Sequence, residues 1–282
     1  MDTTRAVSGE ALVVASPEKV SPGRGSSEDA GSCQGSGLRA GDAGLPAAVM
    51  SPLLGMMPGM MRTLRIKGFS ATGQPISTPT TKFGGQPVWL AGPQWPISAA
   101  WDRPMRFVGQ IELGPVLAAA GHGKVAYVFV THADHEENFF DPDIIDPDGG
   151  ENAVIVQPGG DYAGPVRPLA SGPGLYDGDG SAVEFTVDLR PVDEPGSMTD
   201  EEPEALSSSD RDRYVELVDG DKIGGTPLFF QGDEWPDGGP WRLLLQLDSN
   251  WVPFHLNLGA SPRMFAFVSE DGTQGRLLVQ DS

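Results

Sequence analysis

The chain has 282 residues, with 39 acidic against 19 basic side chains and a formal charge of −20. Glycine (38) and proline (26) together exclude a long helical bundle, because neither tolerates a helix interior. No apolar run reaches the ~18 residues of a membrane-spanning helix. The single cysteine, Cys33, excludes a disulfide framework or a multi-cysteine metal site.

The charge is localised. Residues 132–221 hold 24 Asp and Glu against four arginines, while the rest of the chain holds 15 of each sign and is neutral. This balance argues against nucleic acid or an anionic membrane as partner, and for a basic protein or peptide. The oligomeric state is left open.

In chain order, residues 1–61 contain no aromatic side chain, and 21–44 are mostly Gly, Ser, Ala and Asp. Such a composition buries too little apolar surface to offset chain entropy. Residues 1–61 are therefore expected to be a disordered leader, or an extension upstream of a true start near Met60 or Met61. From residue 62 the pattern becomes that of a single domain. Leu64 and Ile66 alternate with polar neighbours, as do Val183, Phe185, Val187 and Leu189, and Val125, Tyr127 and Phe129 keep the same spacing of two, which predicts strands. Residues 153–157 and 243–247 are continuous apolar runs, expected as buried strands. A short helix is predicted over 115–120, stopped by Gly121. A second is predicted over 209–218, with Ser209 as N-cap, an apolar face of Tyr214, Leu217 and Val218, and Gly220 after its end.

An internal repeat organises the domain. KFGGQPVWLAGPQWP (82–96) aligns without a gap to KIGGTPLFFQGDEWP (222–236) at a spacing of 140. PMRFVGQIE (104–112) then aligns to PWRLLLQLD (240–248) at 136, and 124–130 to 263–269. Two blocks in the same order point to duplication. The fold class expected is mainly β, an α+β arrangement with few short helices, built from two pseudo-symmetric β units. The units lie at about 82–130 and 222–269, with an acidic segment, 131–221, between them. The glycine pairs suit positive φ or close backbone approach, and Trp-Pro supplies an apolar anchor beside a rigid turn. Gln110 and Gln246, each on a buried strand, must find hydrogen-bond partners.

The set FGGxP…WP…FxxQIxL followed by GGxP…LLLQLDS resembles the YwqG-like family of domains of unknown function, over roughly residues 62–282. The resemblance implies a duplicated β-rich α+β fold, usually in soluble bacterial proteins, and implies no reaction. A soluble cytoplasmic protein is expected. Relatives commonly place a Trp-Gly-Asp turn after LLLQLDS. Here residues 250–259 read NWVPFHLNLG instead.

The candidate ligand-binding residues are those of the repeat: Lys82, Gly84, Gly85, Trp95, Gln110, Lys222, Gly224, Gly225, Trp235, Gln246 and Asp248. No catalytic residue is assigned, and no cofactor is expected. His132 and His135, with the carboxylates around them, are the weak metal candidates, but their spacing fits no zinc-helix motif. Asp177, Asp179 and Ser181, with Asp188 further on, resemble a calcium loop, although Ala182 replaces its glycine. A hairpin turn explains them better. The Pro-braced run 141–149 is expected to present Asp141, Asp143, Asp146 and Asp148 on a stiffened loop.

Two functions follow as expectations. The first is a non-enzymatic binding protein that uses its acidic surface on a basic protein or peptide, toxin neutralisation being one version. The second is a hydrolase or metal-dependent enzyme with a site between the repeats, near Lys82, Gln110, Lys222, Gln246 and Asp248. The absence of a nucleophile elbow or a phosphate-binding loop favours the first.

Overall fold

The computed structural model describes residues 59–131, 141–198 and 206–281. Twelve strands occur among them: β1 (Met60–Ala71), β2 (Lys82–Gly84), β3 (Trp95–Pro96), β4 (Arg106–Glu112), β5 (Val125–Val130), β6 (Asn152–Gln157), β7 (Val166–Arg167), β8 (Glu184–Pro195), β9 (Lys222–Gly224), β10 (Trp241–Asp248), β11 (Pro262–Ser269) and β12 (Gly275–Asp281). Two α-helices accompany them, α1 (Gly114–Leu117) and α2 (Ser208–Val218). The fold is mainly β, as expected.

Ten strands form one antiparallel sheet in the order β12-β11-β10-β9-β1-β8-β2-β4-β5-β6, while β3 and β7 form a separate ribbon. The sheet is centred on the long β1–β8 pair, with Ile66 opposite Leu189. Outward from that pair, each side carries a three-residue Lys-apolar-Gly strand, then a glutamine-bearing strand, then two more. Register shifts interrupt β4 between Phe107 and Gly109, and β10 between Leu243 and Leu245. The two edges return against each other. A Cβ on Gly275 of β12 would lie 2.4 Å from Val154 Cγ1 of β6, and Asp161 N donates to Thr273 O at 2.7 Å. The sheet is therefore almost closed, which shelters the backbone edges that an open sheet would expose.

Strand alternation serves two cores rather than one core and solvent. On β5, Ala126, Val128 and Val130 join the main core while Val125, Tyr127 and Phe129 join a second, aromatic one. On β11, Met264, Ala266 and Val268 face the main core and Phe265 and Phe267 a third cluster. The main core draws on both halves, from Phe83 and Ile111 to Ile223 and Leu244. Residues 250–259 plug it: Phe254 stacks on Phe83 at 6.0 Å, and Leu256 and Leu258 are buried.

Three expectations about local structure shift. β1 begins at Met60, inside the segment assigned to the leader; residues before 59 lie outside the described part. The second helix is capped by Ser207, whose Oγ accepts from Asp210 N at 3.2 Å, not by Ser209. Its buried face is the i, i+4 pair Tyr214 and Val218. Leu217 is 37 % exposed, its carbonyl taken by Arg65. No helix is long and apolar enough to cross a membrane among the described residues.

Candidate functional site

Each Gly-Gly turn is built on a buried lysine and a buried or nearly buried glutamate. The glycines Gly84, Gly85, Gly224 and Gly225 all have positive φ, between 64° and 82°, a region that side chains with a Cβ rarely adopt. Lys82 Nζ donates to Gln86 O at 2.7 Å, to Ile76 O at 3.2 Å and to Glu184 Oε1, so all three ammonium protons are engaged. Lys222 Nζ donates to Glu194 Oε1 at 2.8 Å and to Val218 O at 2.6 Å. Glu194 also accepts from Thr226 N at 2.6 Å and from Arg65 at 2.9 Å. Both lysines are fully buried, so their charge is stable only with these partners.

The glutamines then pin the chain that follows each turn. Gln110 Oε1 accepts from Val88 N at 2.9 Å while its Nε2 donates to Thr80 O at 2.9 Å. Gln246 Oε1 accepts from Leu228 N at 2.8 Å while its Nε2 donates to Gly220 O, also at 2.8 Å. A second pair, not singled out in the sequence, repeats the device. Gln157 takes Ala91 N and gives to Gly92 O and Gln94; Gln280 takes Phe230 N and gives to Gly232 O and Glu234. Their signal was available, since 152–157 and 275–281 each contain an apolar run ending in Val-Gln.

Pinned in this way, each segment lays an aromatic pair on the sheet. Trp89 meets Tyr127 at 4.7 Å and Phe129 at 6.2 Å, and Trp95 meets Phe129 at 5.4 Å. Phe229 meets Phe265 at 5.0 Å and Phe267 at 6.3 Å, and Trp235 meets Phe267 at 5.3 Å. The two tryptophans differ in cover: Trp95 is fully buried and Trp235 is 36 % exposed.

The repeat residues gather around these two turns separately. Glu184 and Glu194, the partners of Lys82 and Lys222, stand near opposite ends of β8, so the lysines do not converge on a common space. Each turn adjoins its own cavity: about 240 Å³ beside Gly85 and Glu184, and about 270 Å³ beside Gly224, Gly225, Arg62 and Arg242. Asp248 belongs to the second turn, its amide donating to Asp221 Oδ1 at 2.8 Å and its carboxylate accepting from Asn250 N at 2.9 Å. His132 and His135 lie outside the described residues. Asp177 closes a hairpin turn, its Oδ1 accepting from Asp179 N and Ser181 N.

Burial perturbs two charges at the second turn. It lowers the Lys222 ammonium to about 8, with the charge and hydrogen bond of Glu194 opposing it. It raises the Asp221 carboxyl to about 6, opposed by the Asp248 amide and Arg263 and reinforced by the charges of Asp248 and Asp219.

The acidic segment divides between scaffold and surface. Glu194 serves Lys222, and Glu151 is fully buried and accepts from Ser98 Oγ and Ala100 N. Asp141, expected among the presented carboxylates, is instead buried, because it accepts from the Trp101 indole at 2.6 Å and caps the turn through Asp143 N at 3.0 Å. Asp143, Asp146 and Asp148 are exposed, on a loop held by Asn152 Nδ2, which donates to Ile144 O and Asp146 O at 2.9 Å each.

Fold and site together define a nearly closed β domain whose glycine turns are fixed by buried lysine–glutamate pairs and glutamine clamps. The family model described as Domain of unknown function (DUF1963) matches residues 81–260, and the chain belongs to that family. The match takes in both Gly-Gly turns, Gln110 and Gln246, and stops before β11. No curated protein matches the chain.

Proposed function

We propose that the protein is a non-catalytic binding protein, soluble in the bacterial cytoplasm, that engages a basic protein or peptide through carboxylates between its two units. Toxin neutralisation is one form this takes. The observation that carries the reading is the loop of Asp143, Asp146 and Asp148. Its carboxylates are exposed, while Asn152 and the Asp141 cap hold its backbone. Asp148 already shares its charge with Arg276 at 3.5 Å, and Asp146 Oδ1 accepts from Asp148 N at 2.9 Å. A partner therefore meets carboxylates that are held before it binds, in a field that reaches ~8 Å at physiological salt. The matching lysine, glutamine and ring contacts support two units that arose by duplication, in line with the YwqG-like resemblance.

The test is a pull-down from a bacterial lysate at low salt, with the full chain and its Asp143→Asn/Asp146→Asn/Asp148→Asn variant as baits. The reading expects a basic protein that is held by the parent, released by rising salt and lost from the variant. A partner that ignores both salt and the substitutions sinks it, as does recovery of no basic partner.

A further inference from the structure

The two aromatic platforms are built alike and covered differently. In the first unit, residues 162–172 lie over the rings. Val166 and Arg167 of β7 pair with Pro96 and Trp95 of β3, and Ile97 N donates to Pro165 O at 3.0 Å. The Trp89 indole donates to Ala170 O at 3.2 Å, and Gly172 sits so close that a Cβ would lie 2.8 Å from the Trp95 ring. Leu169 and Tyr162 pack onto the same cluster. Trp95 Nε1 is satisfied by Met105 O at 2.7 Å.

In the second unit no described segment does this. Trp235 and Pro236 pair with no strand among the described residues, and the Trp235 indole has no acceptor there. Phe230 beside it is 43 % exposed. The surroundings carry an excess of acid over base. Asp233, Glu234, Asp237, Glu270 and Asp271 stand against three arginines: Arg242, paired with Glu270 at 2.9 Å, Arg263, 4.3 Å over the Phe230 ring, and Arg276, 5.6 Å over the Trp241 ring. Trp241, which packs on the platform, also lines a cavity of about 290 Å³ with Glu270 and Asp271.

We propose that the face around Trp235 is a docking groove for an extended peptide carrying an arginine or lysine beside an aliphatic residue. The peptide lies along Trp235 and Pro236 as Val166 and Arg167 lie along Trp95 and Pro96. Strand addition of this kind draws affinity from main-chain hydrogen bonds and specificity from alternate side chains. A tryptophan that loses its exposed surface on binding is the sort of anchor that dominates such contacts. The acidic rim selects a basic side chain. The proposal shares a basic ligand with the function proposed above but puts it on a different surface, so the two fail separately.

The probe is a synthetic peptide of residues 163–171, AGPVRPLAS, acetylated and amidated, titrated into the full chain labelled with ¹⁵N. The Trp235 indole signal is identified with Trp235→Phe. Saturable movement of that signal is expected, with affinity falling at least fivefold when the peptide arginine becomes glutamate. Trp235→Ala is expected to abolish binding while the rest of the spectrum, including the Trp95 indole, stays in place. Neutralising Asp143, Asp146 and Asp148 should leave the affinity within twofold. The proposal is overturned if 1 mM peptide moves nothing, or if Trp235→Ala and the glutamate peptide bind as well as the parents. A Trp235 signal that moves with protein concentration alone assigns the face to a second copy and overturns it too. So does an indole already protected from solvent exchange without peptide.

Discussion

Glu184 and Glu194 stand ten residues apart on β8, and each neutralises the buried lysine of a different Gly-Gly turn. One strand of the acidic segment thus supplies counterions to both halves of the sheet. Glu194 gathers Lys222, Arg65 and Thr226 N, whereas Glu184 gathers Lys82 and Ile76 N and is slightly exposed. Removing one partner strands a buried charge at a cost of about 3–5 kcal/mol. Glu194→Ala should therefore lower the unfolding free energy by that amount, and by more than Glu184→Ala. Urea unfolding of the two variants checks the order, and equal small losses would contradict it.

The glutamine clamps predict a local effect. In Gln246→Leu the amide of Leu228 and the carbonyl of Gly220 lose their partner inside the protein, and because both are part-buried the cost lies toward the low end of the ~1–3 kcal/mol of a buried group left unsatisfied. Hydrogen exchange should accelerate at Leu228, while Val88, held by Gln110, keeps its protection. Uniform acceleration across both halves would show that Gln246 acts on global stability instead.

Much of this was legible in the sequence because the two aligned blocks contain the residues that make specific contacts. Lys82 and Lys222, the glycine pairs, Gln110 and Gln246 all lie in the aligned blocks, and their chemistry demanded buried partners. What stayed hidden was the other end of each contact. Glu184 and Glu194 look like two more charges in an acidic segment, since nothing local distinguishes an ion-paired carboxylate from a solvated one. The two-sided burial of β5 and β11, by contrast, was written in the runs VAYVFV (125–130) and MFAFV (264–268), which are apolar throughout, and treating Val125, Tyr127 and Phe129 as one face of an alternating strand misses it. The different cover of Trp95 and Trp235 depends on residues 162–172, which have no counterpart in the alignment.

The glycine turns give a sharper contrast. At Gly225 the backbone has φ 82°, and a Cβ would meet Glu194 Oε1 at 2.1 Å, so Gly225→Ala combines a disfavoured backbone with a clash against the carboxylate that holds Lys222. A loss of about 2 kcal/mol or more is expected, from strain of ~1–3 kcal/mol plus a weakened pair. Gly92→Ala, with nothing within 4 Å of its Cβ, should be near neutral. Thermal unfolding of the two single variants measures the difference, and equal midpoints would remove the steric argument.

The pH dependence follows from Asp221. Its carboxyl is raised to about 6 in the folded protein, against 3.8 for the unperturbed group. Between those values the folded state holds the proton that the unfolded chain has lost. Stability then falls as pH rises through roughly 4 to 6, and above that range the protein carries the cost of a desolvated carboxylate near Asp248 and Asp219, partly offset by Arg263. Asp221→Asn keeps an acceptor for the Asp248 amide and removes the charge. It should be the more stable form at pH 7, by about 1–3 kcal/mol, and indistinguishable from the parent near pH 3.5. Lys222 acts in another window: its depressed value of about 8, against 10.5 unfolded, makes stability rise between those pH values in both proteins. Urea unfolding at pH 3.5, 5, 7 and 9.5 separates the two groups. A difference between parent and variant that does not change from pH 3.5 to 7 would exclude Asp221 as the source of the acid-side slope.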